Sequence, residues 1–481
     1  MAAKKNILFV ASECQPYAVT GGLAEVIGSL PKAIMAERKS YKVSVVMPLY
    51  SRIIRNYGQK LEFIGQKTIT LAWRNLYAGV FKTTVDGVDY FFIDNKYYFD
   101  REGLYGYFDD GERFCFFSKA VIECFPIFGF VPDVVHAHDW HAAATNIFLD
   151  ILYKKNAQYM DIKTVFTIHN IEYQGIYEQN FLEYVMGIDR QYAEILDYNG
   201  LVNLMKGAIV CSDLVTTVSP RYAREITTAQ YAHGLEHIIR LNNQKLVGII
   251  NGINNELYNP VTNEVLPSNF DSETLSKKKV NKLALQRGLN LELDENVCII
   301  SMITRLAGHK GIDLVIDKFD ELMRENVQFV VLGTGESFYE NKFREFARRY
   351  PKRVASMITF NGDLSKQIYG ATDLFLMPSK TEPCGLSQMI SSRYGTVPIV
   401  RATGGLFDTI KDYNNGDGNG FVFKEYDSQK MLEKIKEAVN VYYSKDDYLL
   451  LSKKIMGIDF SWNASANLYI KQYAKLLKKS K

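Results

Sequence analysis

The tetrapeptide Thr-Gly-Gly-Leu occurs twice in this chain, at 20–23 and at 403–406, and it constrains the fold more than any other feature. Each copy follows an apolar run typical of a strand, Ile7–Ser12 or Val397–Val400, and precedes residues with helical spacing. Glycines between a strand and a helix leave free backbone N–H groups at the helix start, where phosphate and sugar oxygens bind. Sterics alone explain one such turn, but two distant copies predict two nucleotide-binding domains.

The second copy is preceded by a related unit that carries a carboxylate. The apolar run Leu374–Pro378 predicts a buried parallel strand, and the turn after it brings Glu382 to the start of a helix predicted between Leu386 and Gly395. Open α/β sheets bind ligands in the crevice at the carboxyl ends of their strands. The sequence therefore predicts that Glu382 and the second glycine loop share one crevice.

Two cations precede this region in the chain. The strand predicted at Val297–Ile303 is followed by Arg305 and Lys310, on one loop beside a helix start. Guanidinium and ammonium groups in such a place bind a diphosphate, although surface charges give the same pattern. Further strands are predicted at Phe329–Leu332 and Met357–Phe360.

In the first half of the chain, two predicted strands end in polar residues. The strand Val134–His138 ends at Asp139, and the strand Thr164–His169 ends at His169. The carboxyl ends of parallel strands meet at one edge, so we expect Asp139 and His169 to lie close together as a candidate site.

Three histidines around that first strand allow a metal interpretation. His136 and His138 share one face of the strand, and His141 opens the helix predicted to run to about Tyr153. No carboxylate or thiol cluster elsewhere completes a metal site. Hydrogen bonding of the rings within the loop is the favoured alternative, and no metal is predicted.

A segment dense in aromatic residues follows a region of predicted hairpins. The residues from Lys60 to Asp94 predict short strands with a two-residue turn at Asp86-Gly87. Aromatic side chains at 97–117 most often pack in a core. A sugar-stacking loop around Tyr105 and Tyr107 is the alternative.

Length and a change of composition indicate the domain organisation. A chain of 481 residues has room for two or three domains. A turn at Gly252 and the polar segment Asn259–Lys282 place a boundary between domains at 1–252 and 253–462. The remaining segment, 463–481, is predicted to be a helix that packs back across the first domain.

Charge and apolar patterning exclude several function classes. With 57 basic and 54 acidic residues and a formal charge of +3, the chain has no signature of a nucleic-acid or membrane-surface partner. No apolar run approaches the roughly 18 residues of a membrane span. The six cysteines include no CxxC pair, and the first strand leaves no room for a signal peptide. These features predict a cytoplasmic protein with reduced thiols.

The motifs together resemble those of the bacterial glycogen synthase and starch synthase family. The resemblance runs from end to end and is carried by Thr20-Gly-Gly-Leu, His136-Ala-His-Asp-Trp-His-Ala, Thr167-Ile-His-Asn, Val218-Ser-Pro-Arg-Tyr-Ala-Arg-Glu-Ile, Asn251-Gly-Ile, Arg305-Leu with Lys310-Gly, Glu382-Pro-Cys-Gly-Leu and Thr403-Gly-Gly-Leu. It implies an α/β protein of the GT-B type, with two Rossmann-like domains facing each other across a cleft. It also implies transfer of glucose from ADP-glucose to the non-reducing end of an α-1,4-glucan, with retained anomeric configuration and without a metal or cofactor.

The resemblance assigns a role to each catalytic candidate. Arg305 and Lys310 would hold the donor diphosphate and the leaving group, where preorganised cations stabilise the developing negative charge. Glu382 would bind the donor glucose hydroxyls and stabilise positive charge at the anomeric carbon. His169 and Asp139 would line the sugar pocket.

The resemblance also implies a set of binding residues. Those for the donor are Val19, Thr20, Gly21, Gly22, Phe360, Thr403, Gly404, Gly405 and Leu406, with Phe360 as an apolar wall near the adenine and the glycines offering N–H groups. Those for the acceptor are Tyr105 and Trp140.

One departure from the family pattern opens alternatives. Members usually carry Lys before the first Thr-Gly-Gly-Leu, where this chain has Val19, and usually have Asp where this chain has Glu25. Losing a charge-assisted phosphate contact costs about 1.5–3 kcal/mol. The alternatives are a catalytically weak scaffold that binds glucan, and a synthase that uses UDP-glucose.

Overall fold

The computed structural model describes residues 4–414 and 417–478. Residues 1–3 and 479–481, which belong to the predicted terminal segments, lie outside the described residues. The chain divides into two compact units, one of Met1–Gly252 with Trp462–Lys481 and one of Ile253–Ser461. Among the described helices, none has the length and apolar character needed to cross a bilayer.

The first unit contains a nine-stranded sheet and a small three-stranded sheet. Its strands are β1 (Lys5–Val10), β2 (Tyr41–Pro48), β3 (Glu62–Leu71), β4 (Arg74–Val85), β5 (Val88–Asp94), β6 (Val134–His138), β7 (Lys163–Ile168), β8 (Ile176–Glu178), β9 (Asp197–Tyr198), β10 (Leu201–Asn203), β11 (Leu214–Thr217) and β12 (Leu246–Gly248). The large sheet has the order β12-β11-β7-β6-β1-β2-β5-β4-β3, and β8-β10-β9 form the small one. Its first seven strands are parallel, and β4 and β3 extend it as an antiparallel hairpin pair.

The helices of the first unit connect these strands. They are α1 (Gly22–Glu37), α2 (Ser51–Tyr57), α3 (Lys96–Phe99), α4 (Asp110–Glu123), α5 (Phe125–Phe128), α6 (Trp140–Phe148), α7 (Ala193–Leu196), α8 (Leu204–Cys211), α9 (Pro220–Glu225) and α10 (Glu236–Leu241). The central strand β1 has a continuous apolar run whose last four residues are buried, as a strand covered by helices on both faces requires. The predicted turn at Asp86-Gly87 joins β4 to β5, with φ of 52° and 78°.

The second unit contains one sheet in which every strand pair is parallel. Its strands are β13 (Cys298–Ile303), β14 (Val327–Leu332), β15 (Val354–Met357), β16 (Leu374–Met377), β17 (Val397–Arg401) and β18 (Phe421–Phe423), in the order β15-β14-β13-β16-β17-β18. Its helices are α11 (Lys278–Gly288), α12 (Ile312–Leu322), α13 (Ser337–Arg349), α14 (Gly362–Ala371), α15 (Ser387–Arg393), α16 (Gly404–Thr409), α17 (Ser428–Tyr443) and α18 (Lys445–Met456). The core lies between helices and sheet, where the rings of Phe319 and Phe346 stack at 4.0 Å.

Each large sheet has one point at which the strand order reverses. In the first unit the chain moves outward from β1 to β2 and later returns to place β6 on the other side of β1. In the second unit β13 and β16 have the same relation. Ligands of open α/β sheets bind beside the carboxyl ends of such strands. Ligand-binding residues are therefore expected in the loops after β1 and β6 and in those after β13 and β16.

The last helix of the chain, α19 (Trp462–Lys478), belongs to the first unit. It packs against α1 and buries Tyr469 and Tyr473. The Tyr473 hydroxyl lies 2.8 Å from Nδ1 of His136 in β6, and Ser465 donates to the backbone carbonyl of Ile250 at 2.6 Å. The helix is thus joined to the sheet by polar as well as apolar contacts.

Several element boundaries differ from the sequence prediction, and two of them lie beside predicted site residues. The strand predicted at Met357–Phe360 is β15, which ends at Met357, because the N–H of Thr359 turns back to the Met357 carbonyl at 3.0 Å. The helix predicted to begin at His141 begins at Trp140 and continues from Leu149 to Tyr153 as a π-helical turn. Neither difference moves a strand end that carries a predicted catalytic residue.

Candidate active site

Lys310 and Glu382 form an ion pair at the reversal point of the second unit. Nζ of Lys310 lies 2.9 Å and 2.7 Å from the two carboxylate oxygens of Glu382. Ser379 donates to the same carboxylate at 2.9 Å. Glu382 is 7% exposed, so its charge is largely removed from water and depends on these donors.

Arg401, which the sequence analysis did not single out, holds the backbone of the loop that carries Glu382. Arg401, at the end of β17, is buried and donates through Nε to the carbonyl of Ser379 at 2.7 Å. Its other nitrogens donate to the carbonyls of Lys380 and Lys424. The sequence contained a signal for this role, an arginine immediately before Ala-Thr-Gly-Gly at the end of a predicted buried strand. A buried guanidinium requires several hydrogen-bond acceptors, so such an arginine indicates contacts with neighbouring loops.

The glycines at 403–406 differ from the prediction of free N–H groups. The N–H of Gly405 donates to the backbone carbonyl of Glu382 at 3.1 Å and to that of Pro383 at 3.2 Å. Gly404 has a φ of 43°, and a Cβ added there would lie 1.9 Å from the Glu382 carbonyl oxygen. The reason for the difference is close packing: the two glycines allow this loop to contact the backbone of the Glu382 loop directly.

The remaining predicted residues of this unit lie in different environments. Arg305 is exposed on the loop between β13 and Lys310. Phe360 is 89% exposed in the loop after β15, whereas Thr403 and Leu406 are fully buried. The Leu406 side chain packs with Val400, so it belongs to the core and offers no surface to a ligand.

In the first unit, the loop after β1 is held by Glu13, a second residue that the sequence analysis missed. The Glu13 carboxylate is 4% exposed and accepts from the N–H of Thr20 at 2.5 Å, the hydroxyl of Thr20 at 2.6 Å and the N–H of Gly21 at 3.3 Å. The N–H groups of Thr20 and Gly21 are therefore occupied, contrary to the prediction. An acid directly after the predicted strand Ile7–Ser12 was the signal.

Asp139 and His169 are brought together at the reversal point of the first unit. The backbone N–H of His169 donates to Oδ1 of Asp139 at 2.8 Å. Burial raises the pKa of Asp139 to about 7, against the effect of backbone N–H donors, and lowers the pKa of His169 to about 3. Asp139 has a φ of 57°, a conformation that costs energy outside glycine and often marks functional sites.

Buried hydrogen bonds involve both ring nitrogens of His136 and Nδ1 of His138, whereas Nε2 of His138 and Nδ1 of His141 are buried without a partner among the described residues. Nε2 of His136 is 2.6 Å from the Thr167 hydroxyl, and Nδ1 of His138 is 3.0 Å from Nε2 of His169. Burial lowers the pKa of His136, His138 and His141, so these rings are neutral near pH 7. Within the described residues, no group of three or more His, Cys, Asp or Glu side chains is arranged to hold a metal.

The two predicted acceptor residues lie on either side of His141. The ring of Trp140 is 4.1 Å from the His141 ring, and that of Tyr105 is 4.3 Å from it. The Tyr105 hydroxyl donates to Glu13 at 2.7 Å. Tyr105 therefore supports the Glu13 loop, while Val19 of that loop is 42% exposed.

Comparisons with known proteins agree with this architecture. Residues 6–241 match the family model described as starch synthase catalytic domain, and residues 289–447 match that of glycosyl transferases group 1. Curated glycogen synthases of Geobacillus thermodenitrificans and Desulforamulus reducens are each 44% identical over 98% of this chain, covering 98% and 99% of their own lengths.

Solved structures give the same result. The catalytic domain of starch synthase IV from Arabidopsis thaliana, bound to ADP and acarbose, has a TM-score of 0.90 and 32% identity over 99% of this chain and 100% of its own. A sucrose-phosphate synthase from Thermosynechococcus elongatus has a TM-score of 0.63 at 15% identity over 99% of this chain and 100% of its own, which supports the fold alone.

Fold and site together define a glycosyltransferase of the GT-B class, as predicted. Near-complete coverage at 44% identity is decisive for the family. The chain belongs to the family of bacterial glycogen synthases and starch synthases, and it is a glucosyltransferase that builds glucans.

Proposed function

We propose that this enzyme transfers glucose from ADP-glucose to the non-reducing end of an α-1,4-glucan, with retention of the anomeric configuration. The observation that carries the proposal is the Lys310–Glu382 ion pair at the reversal point of the second unit. The solved relative from Arabidopsis binds ADP, by its title, and its similarity to this chain supports ADP as the nucleotide.

In this proposal, cations of the second unit stabilise the departing nucleotide. Cleavage of the bond between the anomeric carbon and the β-phosphate oxygen leaves negative charge on ADP. The ammonium of Lys310 and the exposed guanidinium of Arg305 lie on one loop and would bind that charge. No proton is needed for this stabilisation, and no metal is invoked.

Glu382 would act on the sugar. Its carboxylate, which accepts from Lys310 and Ser379, would also accept hydrogen bonds from glucose hydroxyls and stabilise positive charge that develops at the anomeric carbon. In the proposed front-face reaction the acceptor hydroxyl oxygen bonds to the anomeric carbon while its proton passes to the departing phosphate oxygen. Positioning and charge stabilisation are then sufficient, and a carboxylate nucleophile of the kind used by retaining glycosidases is unnecessary.

The first unit would supply neutral hydrogen-bonding groups. Burial lowers the pKa of His169 to about 3, so its ring is neutral at working pH and suited to a sugar hydroxyl. Asp139 fixes the backbone of His169 and would line the same pocket. Thr20 and Gly21 keep their proposed role in donor binding only if a ligand competes with Glu13 for their N–H groups.

The proposal is tested by measuring release of nucleoside diphosphate with ADP-glucose and with UDP-glucose, using glycogen as acceptor. We expect turnover with ADP-glucose, and a loss of at least about a hundredfold in kcat for Glu382→Gln, a nearly isosteric change that removes the charge. Glu321→Gln is the matched control, because Glu321 also pairs with a lysine, Lys318, but lies on the exposed surface of α12.

Val19→Lys extends the experiment to the departure from the family pattern. We expect the added cation to lower KM for ADP-glucose by about tenfold, the value of one charge-assisted phosphate contact. Faster turnover with UDP-glucose would contradict the proposed donor. Glycogen binding without turnover of either donor would favour the glucan-binding scaffold.

A further inference from the structure

A cavity in the second unit lies beside the amino ends of β13 and β16, whereas Glu382 follows the carboxyl end of β16. It has a volume of about 450 Å³ and is lined by residues before β13 and β16 and by residues of α11 and α18. Asp373 directly precedes β16, whereas Glu382 follows it. The strand between them separates the two places, so the cavity is distinct from the proposed donor site.

The cavity carries an excess of positive charge. Five lysines and three carboxylates line it. Three of the lysines form ion pairs, Lys282 with Asp373 at 2.7 Å, Lys279 with Glu295 at 3.0 Å and Lys453 with Glu273 at 3.1 Å. Across the described part of the chain, the other two, Lys278 and Lys445, have no carboxylate within ion-pair distance.

Lys278 is the more unusual of these two cations. It is 8% exposed, and its ammonium donates only to neutral oxygens, the carbonyl of Tyr394 at 2.9 Å and the hydroxyl of Thr396 at 2.6 Å. Desolvation lowers the pKa of Lys278 to about 7, although the charge of Asp373 raises it. A bound anion at this place would stabilise the charged form that burial disfavours.

The remaining wall of the cavity is mostly aromatic and aliphatic, with two serines, Ser276 and Ser452. Tyr442 and Tyr448 contribute rings, and Leu275 and Leu449 contribute aliphatic surface. Nζ of Lys445 lies 5.1 Å from the centroid of the Tyr442 ring, so the charge and the apolar wall are adjacent. The volume is in the range of sites that take one small molecule.

We propose that this cavity binds a small phosphate monoester that carries a ring, either a sugar phosphate or a nucleoside monophosphate. The phosphate contacts Lys278 and Lys445, whose two charges match a dianion. The ring packs against Tyr448 and Leu449. Such a ligand would be bound without competing for the proposed donor site.

Isothermal titration calorimetry in saturating ADP tests the proposal, because ADP fills the proposed donor site first. The probes are glucose 6-phosphate, AMP, inorganic phosphate and glucose. Lys445→Glu reverses an exposed charge in the first turn of α18, and Lys430→Glu makes the same change in the first turn of α17, outside the cavity. A glutamate in the first turn of a helix is compatible with folding.

We expect saturable binding of one or both esters, weakened about ten- to a hundredfold by Lys445→Glu and unchanged by Lys430→Glu. Glucose 6-phosphate alone would identify the sugar phosphate, and AMP alone the nucleotide. Absence of ester binding below about 1 mM, or binding that both variants leave unchanged, would overturn the site. Equal affinity for inorganic phosphate would overturn the ring contact.

Discussion

In the loop at 20–23, the N–H groups of Thr20 and Gly21 donate to the side chain of Glu13, whereas in the loop at 403–406 the N–H of Gly405 donates to the backbone carbonyl of Glu382. The same tetrapeptide thus donates to the side chain of an acidic residue in one copy and to the backbone of an acidic residue in the other. Glu13 uses its charge to hold its own loop. Glu382 is held by its main chain, which leaves the carboxylate to Lys310.

The difference explains how one tetrapeptide serves two purposes. Where the acid's side chain satisfies the loop, the acid is a structural element and its oxygens are already occupied by hydrogen-bond donors. Where the main chain makes the contact, the carboxylate is positioned by packing and remains available for a cation and for a substrate. We therefore expect chemistry to depend on Glu382 and loop order to depend on Glu13.

The largest expected effect comes from removing the cation. Lys310→Met removes the counter-charge of the largely buried Glu382 carboxylate, which keeps the hydrogen bond from Ser379. We expect kcat to fall by at least about a hundredfold and the free energy of unfolding to fall by about 2–3 kcal/mol, below the value for a fully buried pair because Lys310 is partly exposed. Urea denaturation and initial rates measure the two effects.

A double variant shows whether the two losses have separate causes. Adding Glu382→Gln to Lys310→Met removes the unpaired charge, so stability should recover while activity does not. Lys318→Met, which breaks an exposed pair with Glu321, is the matched control and should change stability by less than about 0.5 kcal/mol. A double variant no more stable than Lys310→Met would contradict the role of Lys310 as the counter-charge.

The glycines that open the two loops give a direct test of the comparison. In Gly404→Ala the added Cβ would lie 1.9 Å from the Glu382 carbonyl oxygen at a φ of 43°, so the Glu382 loop must move. We expect a loss of about 3 kcal/mol and of most activity. Gly21→Ala is the matched control, because a Cβ there meets nothing within 4 Å and the backbone is extended.

Thermal unfolding and initial rates of the two alanine variants give the readout. The control should retain stability within about 0.5 kcal/mol of the parent protein. Equal losses in both variants would show that the two loops are alike and would remove the basis of the comparison.

The sequence predicted the fold class because its signals are local. Apolar runs such as Leu374–Pro378 and the residues that end them are readable from spacing alone, whereas the strand order and its reversal points required the structure. The bonding of the glycine loops was not predictable in this way. Whether Gly405 faces solvent or the carbonyl of Glu382 depends on packing between loops about twenty residues apart, and the contact of Glu13 with Thr20 depends on the path of the intervening chain.

The positioning residues were missed for a related reason. Arg401 lies in a strand whose sequence predicts only burial. Its function is to donate to three backbone carbonyls, and these contacts cannot be read from the hydrophobic periodicity. Phe360 shows the opposite error, since an apolar residue after β15 was assigned to the strand and is 89% exposed. Side-chain roles that depend on main-chain acceptors need the tertiary structure.

We expect Asp139 to make the free energy of unfolding depend on pH. Burial raises the pKa of Asp139 to about 7 from about 4 in an unfolded chain, so the folded protein binds the extra proton between these values. Stability from this group is therefore present at low pH and lost as pH rises toward 7. Relative to the parent protein, Asp139→Asn should be more stable at pH 8 than at pH 5 by about 2–3 kcal/mol.

Urea denaturation of both proteins across this pH range makes the comparison. Asn keeps an oxygen that accepts from the N–H of His169, so the fold should persist. Asp133→Asn, at a partly exposed residue paired with Lys5, controls for a change of net charge. A stability difference that does not vary with pH would mean that Asp139 is ionised in the folded protein throughout.

The smallest expected effects come from substituting Arg401 and Glu13, the side chains that hold the Glu382 loop and the loop after β1. Arg401→Lys keeps a buried positive charge but loses the planar fork that reaches the carbonyls of Ser379, Lys380 and Lys424. We expect stability to fall by about 1 kcal/mol and kcat to fall by about tenfold with KM for glycogen unchanged, because the Glu382 carboxylate is displaced from its productive geometry while the acceptor contacts persist. Expressing kcat per folded molecule, with the folded fraction taken from urea denaturation, distinguishes this from general destabilisation, which would lower the amount of folded enzyme without lowering the kcat of the remainder. Glu13→Gln should behave differently, lowering stability with little change in kcat per folded molecule, since Glu13 holds a loop whose acid has no proposed part in bond cleavage. If both variants reduced kcat alike, the loop after β1 would be as close to the chemistry as the loop after β16.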